Sequence, residues 1–168
     1  SKVARAGFVS YASTLFKLTG VDNATATKNA NSILALETEI AKSHRSPQEL
    51  RDPQKNYNKM SLVQLNQLAP NLNVPSLFDK MKIKADSINV GQPDYFKALS
   101  GLLASQPLDV WKTKFKYAYM SRNANSLSKD FVNASFAFNK IFRVQRRLCI
   151  NNSSSFNWVT RFLNIFSA

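Results

Sequence analysis

Apolar residues recur along this chain at helical spacing. Phe8, Tyr11, Leu15 and Leu18 stand at i, i+3, i+7 and i+10, which makes one stripe on one helix face. Gly20, just past the stripe, is the residue expected to close that helix in the left-handed conformation. Asp22 or Asn23 then caps a second helix, polar at first, whose apolar face is Ile33, Leu36 and Ile40, with Glu37, Glu39 and Lys42 on other faces. Two helices joined this closely are expected to pack antiparallel. From Ser46 to Met60 the periodicity lapses and Pro47 and Pro53 intervene, so an irregular connection is expected, longer than a plain helix link. Arg51 beside Asp52, ahead of Pro53, can tie such a connection down through charge-assisted hydrogen bonds. It should be a structured loop. Ser61 with Gln64 is a capping box, and a helix restarts there through Leu62, Leu65 and Leu68.

Beyond Ala69-Pro70, residues 71–87 read as a loop holding a short helix, with Pro75 in its first turn ahead of Leu77, Phe78 and Met81. Ile88 to Gly91 is a brief extended piece. Pro93 starts a helix with Phe96, Leu99 and Leu103 on its buried face, and Pro107 starts another with Leu108, Trp111, Phe115 and Tyr119 as its stripe. The two are expected to form an αα-hairpin with almost no loop, leaving Lys112, Lys114 and Lys116 on a solvated face. Leu127, Phe131, Ala134, Phe138 and Phe142 give the strongest helical pattern, with Ser128 as a cap. Asn151 to Ser155 reads as a polar loop, and Phe156, Val159, Phe162, Leu163 and Phe166 as an aromatic amphipathic terminal segment. That segment is expected to cover core, with a membrane surface or a partner as the alternative contact. The fold class expected is all-α, a mostly antiparallel array of about six helices, with the aromatic faces from Phe96 to Phe142 as the main core.

Length and charge narrow the picture without naming a function. A chain of 168 residues is one domain in size, and 44% hydrophobic content with 12 Phe excludes a disordered chain. No apolar run approaches the roughly 18 residues that a membrane span needs. The chain opens at Ser1 with neither an initiating Met nor a signal-peptide pattern, and it reads as cut from something longer. The 23 Lys and Arg against 10 Asp and Glu give +13, which raises nucleic acid or an anionic membrane as partners. The cations are scattered, however, and no recognition motif accompanies them, so neither partner is expected.

Candidate chemistry is sparse. His44 is the only histidine, at the end of the second helix, and zinc needs three or four ligands, so no metal is expected there. It is expected to meet the terminal carbonyls and dipole of that helix. Cys149 is the only cysteine, which excludes an internal disulfide. No nucleophile-elbow sequence or cysteine-enzyme signature is present, and four glycines leave no phosphate loop. N-glycosylation sequons occur at Asn23, Asn133, Asn151 and Asn152; the one at Asn133 is discounted because it falls mid-helix.

The run LETEIAKSHRSPQELRDPQKNYNKMSLVQLNQLAP, residues 36–70, resembles the N-terminal region of the neprilysin and endothelin-converting-enzyme family of zinc metallopeptidases, metallopeptidase family 13. The shared pattern is a helix ending LExxxA, a spacer, RDPxxxYNxMS, and a helix ending LAP; its specific part is Arg51, Asp52, Pro53, Tyr57, Asn58, Met60 and Ser61, expected to form a structural loop. The likeness continues through INVGQPDYFKALSGLLASQPLDVWKT and LSKDFVNASFAFNK and fades after Gln145, so residues 1–145 are expected to be a partial N-terminal helical domain and 146–168 a divergent tail.

The resemblance implies an N-terminal fragment of a zinc metalloendopeptidase, part of the helical lid over an active-site cavity. In the full-length family enzyme the zinc is held by HExxH and a downstream carboxylate, in a C-terminal catalytic domain that is missing here. This chain should therefore hold no cofactor and be inactive alone. The implied partners are that catalytic domain and, for the whole enzyme, peptide substrates. The implied location is extracytoplasmic, the parent being periplasmic, secreted or membrane-anchored, and the absence of disulfides fits a bacterial member. The alternatives are a stand-alone helical binding module and a basic nucleic-acid or membrane-surface binder.

Overall fold

The structure is a computed structural model and describes residues 2–149, with side chains through residue 141. Among the described residues there are seven α-helices and one two-stranded sheet. In chain order they are α1 (Lys2–Leu18), α2 (Asn23–Lys42), β1 (Lys59–Ser61), α3 (Leu62–Leu68), α4 (Val74–Lys80), β2 (Ser87–Asn89), α5 (Pro93–Ser105), α6 (Leu108–Asn123) and α7 (Lys129–Cys149). Short 3-10 turns at Glu49–Arg51, Pro70–Leu72 and Ala124–Ser126 link them. The fold is all-α, and each of its seven helices answers to a segment that the pattern marked as helical.

The helix ends follow local rules. Gly20 closes α1 with φ of +87°, and the Thr25 amide donates to Asp22 Oδ1 at 2.9 Å, so Asp22 is the residue that caps α2. The Thr25 hydroxyl and amide both bond this carboxylate and hold it below its ordinary range. Ser61 and Gln64 form the capping box of α3. Pro75 lies in the first turn of α4, Pro93 in that of α5, and Pro107 precedes α6.

The described residues divide into two units, one comprising residues up to Glu39 and from Pro107 onward, the other Ile40–Gln106. The first unit is built on α1, most of α2, α6 and α7. Phe8, Tyr11, Leu15 and Phe16 of α1 are buried, as are Ile33 and Leu36 of α2 and Trp111, Tyr117 and Met120 of α6. The Tyr117 ring meets Phe8 edge-on at 5.3 Å and Tyr11 at 6.2 Å, and Tyr11 stacks on Phe138 of α7 at 4.5 Å. The Tyr11 hydroxyl lies 3.2 Å from Ser121 Oγ. Helices α1 and α7 come so close at Gly7 that a Cβ there would stand 2.6 Å from Ile141 Cδ1.

The second unit has its own core. Leu65, Val74 and Val90 are buried, and Met60, Leu72, Phe78, Ile88 and Phe96 pack around them. Strands β1 and β2 pair antiparallel, Met60 opposite Ile88. Asn71 fastens α5 by its amide to Ser100 Oγ at 3.1 Å and by Nδ2 to the Ser100 carbonyl at 2.9 Å.

Several expectations are corrected. The core is not one aromatic body from Phe96 to Phe142: Phe96 packs in one unit and Trp111, Tyr117 and Phe138 in the other. Helices α5 and α6 likewise fall in different units. On α6 the stripe Leu108, Phe115 and Tyr119 is exposed, and the buried face runs through Trp111, Tyr117 and Met120. Leu127 precedes α7 and is exposed. Leu77 and Met81 are exposed too, and only Phe78 of that trio packs on the core. Glu37 is buried, and Lys114 reaches it as an ion pair instead of lying on a solvated face. The side chains of Phe142 and Cys149, and everything expected of residues 150–168, lie outside the described residues.

Candidate functional site

The candidate site is the segment from His44 to Ser61, within the second unit. Its organising side chain is Arg45. The Arg45 guanidinium donates through Nη1 to the Lys55 carbonyl, to Asn56 Oδ1 at 3.1 Å and to the Gly91 carbonyl at 3.0 Å. The Arg45 amide donates to Gln92 Oε1 at 2.9 Å. One guanidinium nitrogen thus joins the chain just past α2 to the far side of the loop and to the turn after β2, and its charge strengthens each bond.

Within this clamp the loop is built from side chains that replace helical partners. Ser46 and Glu49 exchange bonds: the Ser46 amide and hydroxyl donate to Glu49 Oε2 at 2.9 and 2.7 Å, and Ser46 Oγ accepts from the Glu49 amide at 3.3 Å. The Ser46 hydroxyl, and then its amide, hold the Glu49 carboxyl below its ordinary range. Asp52 Oδ1 accepts from the amides of Gln54 and Lys55 at 3.0 and 3.2 Å, a turn that Pro53 pre-sets. Asn56 spans the turn, its Nδ2 donating to the carbonyls of Glu49 and Asp52 at 3.1 and 2.7 Å.

The residues of the run RDPxxxYNxMS divide by exposure and contact. Asp52 caps a turn, and Asn58 stitches the loop to the sheet: its amide donates to Asn89 Oδ1 at 2.8 Å, its Nδ2 to the Lys55 carbonyl, and its carbonyl accepts from the Val90 amide at 3.0 Å. Met60 packs on the core of the unit and Ser61 caps α3. Arg51, Pro53 and Tyr57 are exposed, Tyr57 at 64%. Arg51 ends the 3-10 turn, its amide donating to the Gln48 carbonyl at 3.1 Å, and the guanidinium that fastens the loop is that of Arg45. Sequence reasoning passed over Arg45 and Asn56, and the available signal was an arginine one residue past the only histidine, where α2 ends.

These side chains hold backbone. His44 stacks on Tyr95 with centroids 4.3 Å apart. Among the described residues no three His, Cys, Asp or Glu side chains converge where they could hold a metal ion, so the donor set does not fit zinc. No helix among them is long and apolar enough to cross a membrane.

A family profile described as peptidase family M13 matches residues 1–163. The chain belongs to peptidase family M13. It corresponds to the N-terminal region of these zinc metallopeptidases. Two solved structures of the zinc metalloprotease Zmp1 of Mycobacterium tuberculosis share its fold. One, in an open state, aligns with a TM-score of 0.75 at 23% identity over 96% of this chain and 25% of that one. The other, in complex with an inhibitor, gives 0.74 at 23% identity over 96% and 24%. This M13 chain therefore spans about a quarter of the length of the structures it matches. Among curated proteins no match is found.

Proposed function

We propose that this chain is the N-terminal helical part of an M13 zinc metalloendopeptidase, and that it forms part of the lid over the active-site cavity without holding zinc itself. The observation that carries this reading is the family match over residues 1–163 in a sequence with a single histidine. A zinc site of the HExxH type needs two histidines on one helix, so the metal belongs to another segment. That segment supplies the Lewis acid and the activated water; this chain supplies part of a helical wall. The loop clamped by Arg45 keeps Arg51 and Tyr57 on the surface of that wall, available to the catalytic part or to peptide. The substrates of the whole enzyme are peptides small enough to enter an enclosed cavity, and its location is extracytoplasmic.

Two measurements test the reading. The purified chain, given a quenched-fluorescence peptide mixture and zinc, is expected to show no hydrolysis. Cleavage that a chelator abolishes would overturn the proposal. Extending the coding sequence past Ala168 is expected to reveal HExxH and a downstream ExxxD in some frame, and their absence would favour a stand-alone binding module.

A further inference from the structure

Where α4 ends, cations and aliphatic side chains alternate in water. The segment reads Leu77-Phe78-Asp79-Lys80-Met81-Lys82-Ile83-Lys84. Leu77, Met81 and Ile83 are 49%, 59% and 41% exposed, and Lys80, Lys82 and Lys84 are exposed beside them. Phe78 packs inward on the core of Leu65, Val74 and Val90, so this tip is rooted in the second unit. Asp79 and Asp86 border the run, and among the described residues neither forms an ion pair with these lysines.

The backbone holds the tip in one shape. The Ile83 amide donates to the Phe78 carbonyl at 2.9 Å and the Lys82 amide to the Asp79 carbonyl at 3.0 Å, the paired bonds of a Schellman ending. That ending needs a left-handed residue, and Lys82 supplies it with φ of +56°. Among the described residues the other non-glycine with positive φ is Asn73, a residue type that tolerates the conformation. A lysine adopts it at a cost that glycine avoids. Attraction to the helix dipole accounts for Lys80, the last residue of α4. It does not account for a lysine at the position glycine prefers, nor for three aliphatic side chains left in water.

We infer that residues 77–84 are a contact site for an anionic lipid surface, into which Leu77, Met81 and Ile83 dip while the three lysines meet headgroup phosphates. Charge complementarity selects an anionic partner. The interleaved aliphatic side chains select lipid over nucleic acid or free phosphate, which offer no hydrocarbon layer to receive them. Long lysine stems let the ammonium groups stay at headgroup level while the aliphatic side chains go deeper. No described helix is long and apolar enough to cross a membrane, so the contact is peripheral. Cations are scattered along the chain as a whole; here they coincide with exposed apolar side chains. Lipid contact at this tip is independent of whether the chain roofs a zinc site.

The test is co-sedimentation of this 168-residue chain with vesicles of phosphatidylcholine alone and of phosphatidylcholine mixed with phosphatidylglycerol. The unaltered chain is expected on the anionic vesicles and not on the neutral ones, with retention falling as salt rises. Lys82→Gly is expected to weaken retention about fivefold, one basic residue's share at such a surface, while the melting temperature holds or rises. A lysine with a merely structural role would not separate those two readings. Lys80→Gln, Lys82→Gly and Lys84→Gln together are expected to weaken retention at least about tenfold, and the pair Leu77→Ser, Met81→Ser to weaken it as well. A control bearing Lys112→Gln, Lys116→Gln and Arg122→Gln, three exposed cations on α6, is expected to be retained like the unaltered chain. Equal loss in that control would make the attraction a property of net charge and overturn the inference. So would an unaltered chain that stays in solution, or retention that the serine pair leaves unchanged. Tighter retention on duplex DNA than on the anionic vesicles would overturn it in favour of nucleic acid. A dimer of the unaltered chain that the serine pair abolishes would overturn it in favour of self-association.

Discussion

Glu37 and Lys114 show how much one residue pair can commit a fold. The Glu37 side chain is 7% exposed and that of Lys114 21%, so the pair links α2 to α6 at the edge of the first unit's core. Replacing Lys114 by Met leaves a buried carboxylate without its cation and is expected to destabilise the chain by about 2 kcal/mol, below the usual cost for a deeply buried pair because Lys114 keeps some water. The double change Glu37→Leu, Lys114→Met is expected to be less harmful than Lys114→Met alone; urea unfolding of the three chains measures the difference. A second residue-scale expectation concerns Tyr117, whose phenol burial pushes above its ordinary value, helped by the nearby Tyr11 and Glu37 and opposed by the hydrogen bond with Ser121. Because the folded value is raised, the phenol is neutral in both states below 10.0, and its contribution to stability is full there. Above that the unfolded chain ionises first and stability falls. Ultraviolet titration should show one tyrosine that ionises only as the protein unfolds, and Tyr117→Phe should remove that step. Neither residue was legible in sequence. Spacing places Glu37 off the apolar stripe of α2 and Lys114 on a solvated face, because it cannot say which charge finds an opposite charge 77 positions away.

At the scale of elements, the helices whose ends carry chemistry were the readable ones. Gly20, Asp22, Ser61 with Gln64, Pro93 and Pro107 all act where local rules place them, because a cap is satisfied within three or four residues of chain. Ser61→Ala is therefore expected to cost about 1 kcal/mol, read from the denaturant midpoint. The loop from Ser46 to Ser61 was legible as structured, and its fastening was not. The guanidinium that holds it comes from Arg45, outside the run that marks the family, and its acceptors include the Gly91 carbonyl, 46 residues on. Arg45→Ala is expected to open this loop to limited proteolysis between residues 46 and 58 while α1 and α7 stay protected; unchanged cleavage would show that the loop holds without the clamp. Helix α6 misled for a definite reason. Its apolar side chains extend well beyond one face, so periodicity alone favoured Leu108, Phe115 and Tyr119, and only the packing of α1 selects Trp111, Tyr117 and Met120 as the inner side.

At the scale of the molecule, all-α architecture and family could be read from the chain, because helical spacing persists through nearly all of it and the run from Arg51 to Ser61 is specific. Its partition into two units could not, since it depends on which helices meet across long intervals of sequence. That partition has a consequence for how the protein is made. The second unit, Ile40–Gln106, is one uninterrupted stretch, whereas α1 and α2 belong with α6 and α7 on its far side. Tyr11 meets Ser121 across 110 positions. During synthesis the second unit can close as soon as Gln106 leaves the ribosome, while Phe8, Tyr11 and Leu15 wait for helices not yet translated. Until Met120 emerges, the aromatic face of α1 lacks the partners that bury it, and a chaperone that binds aromatic stretches would find its target there.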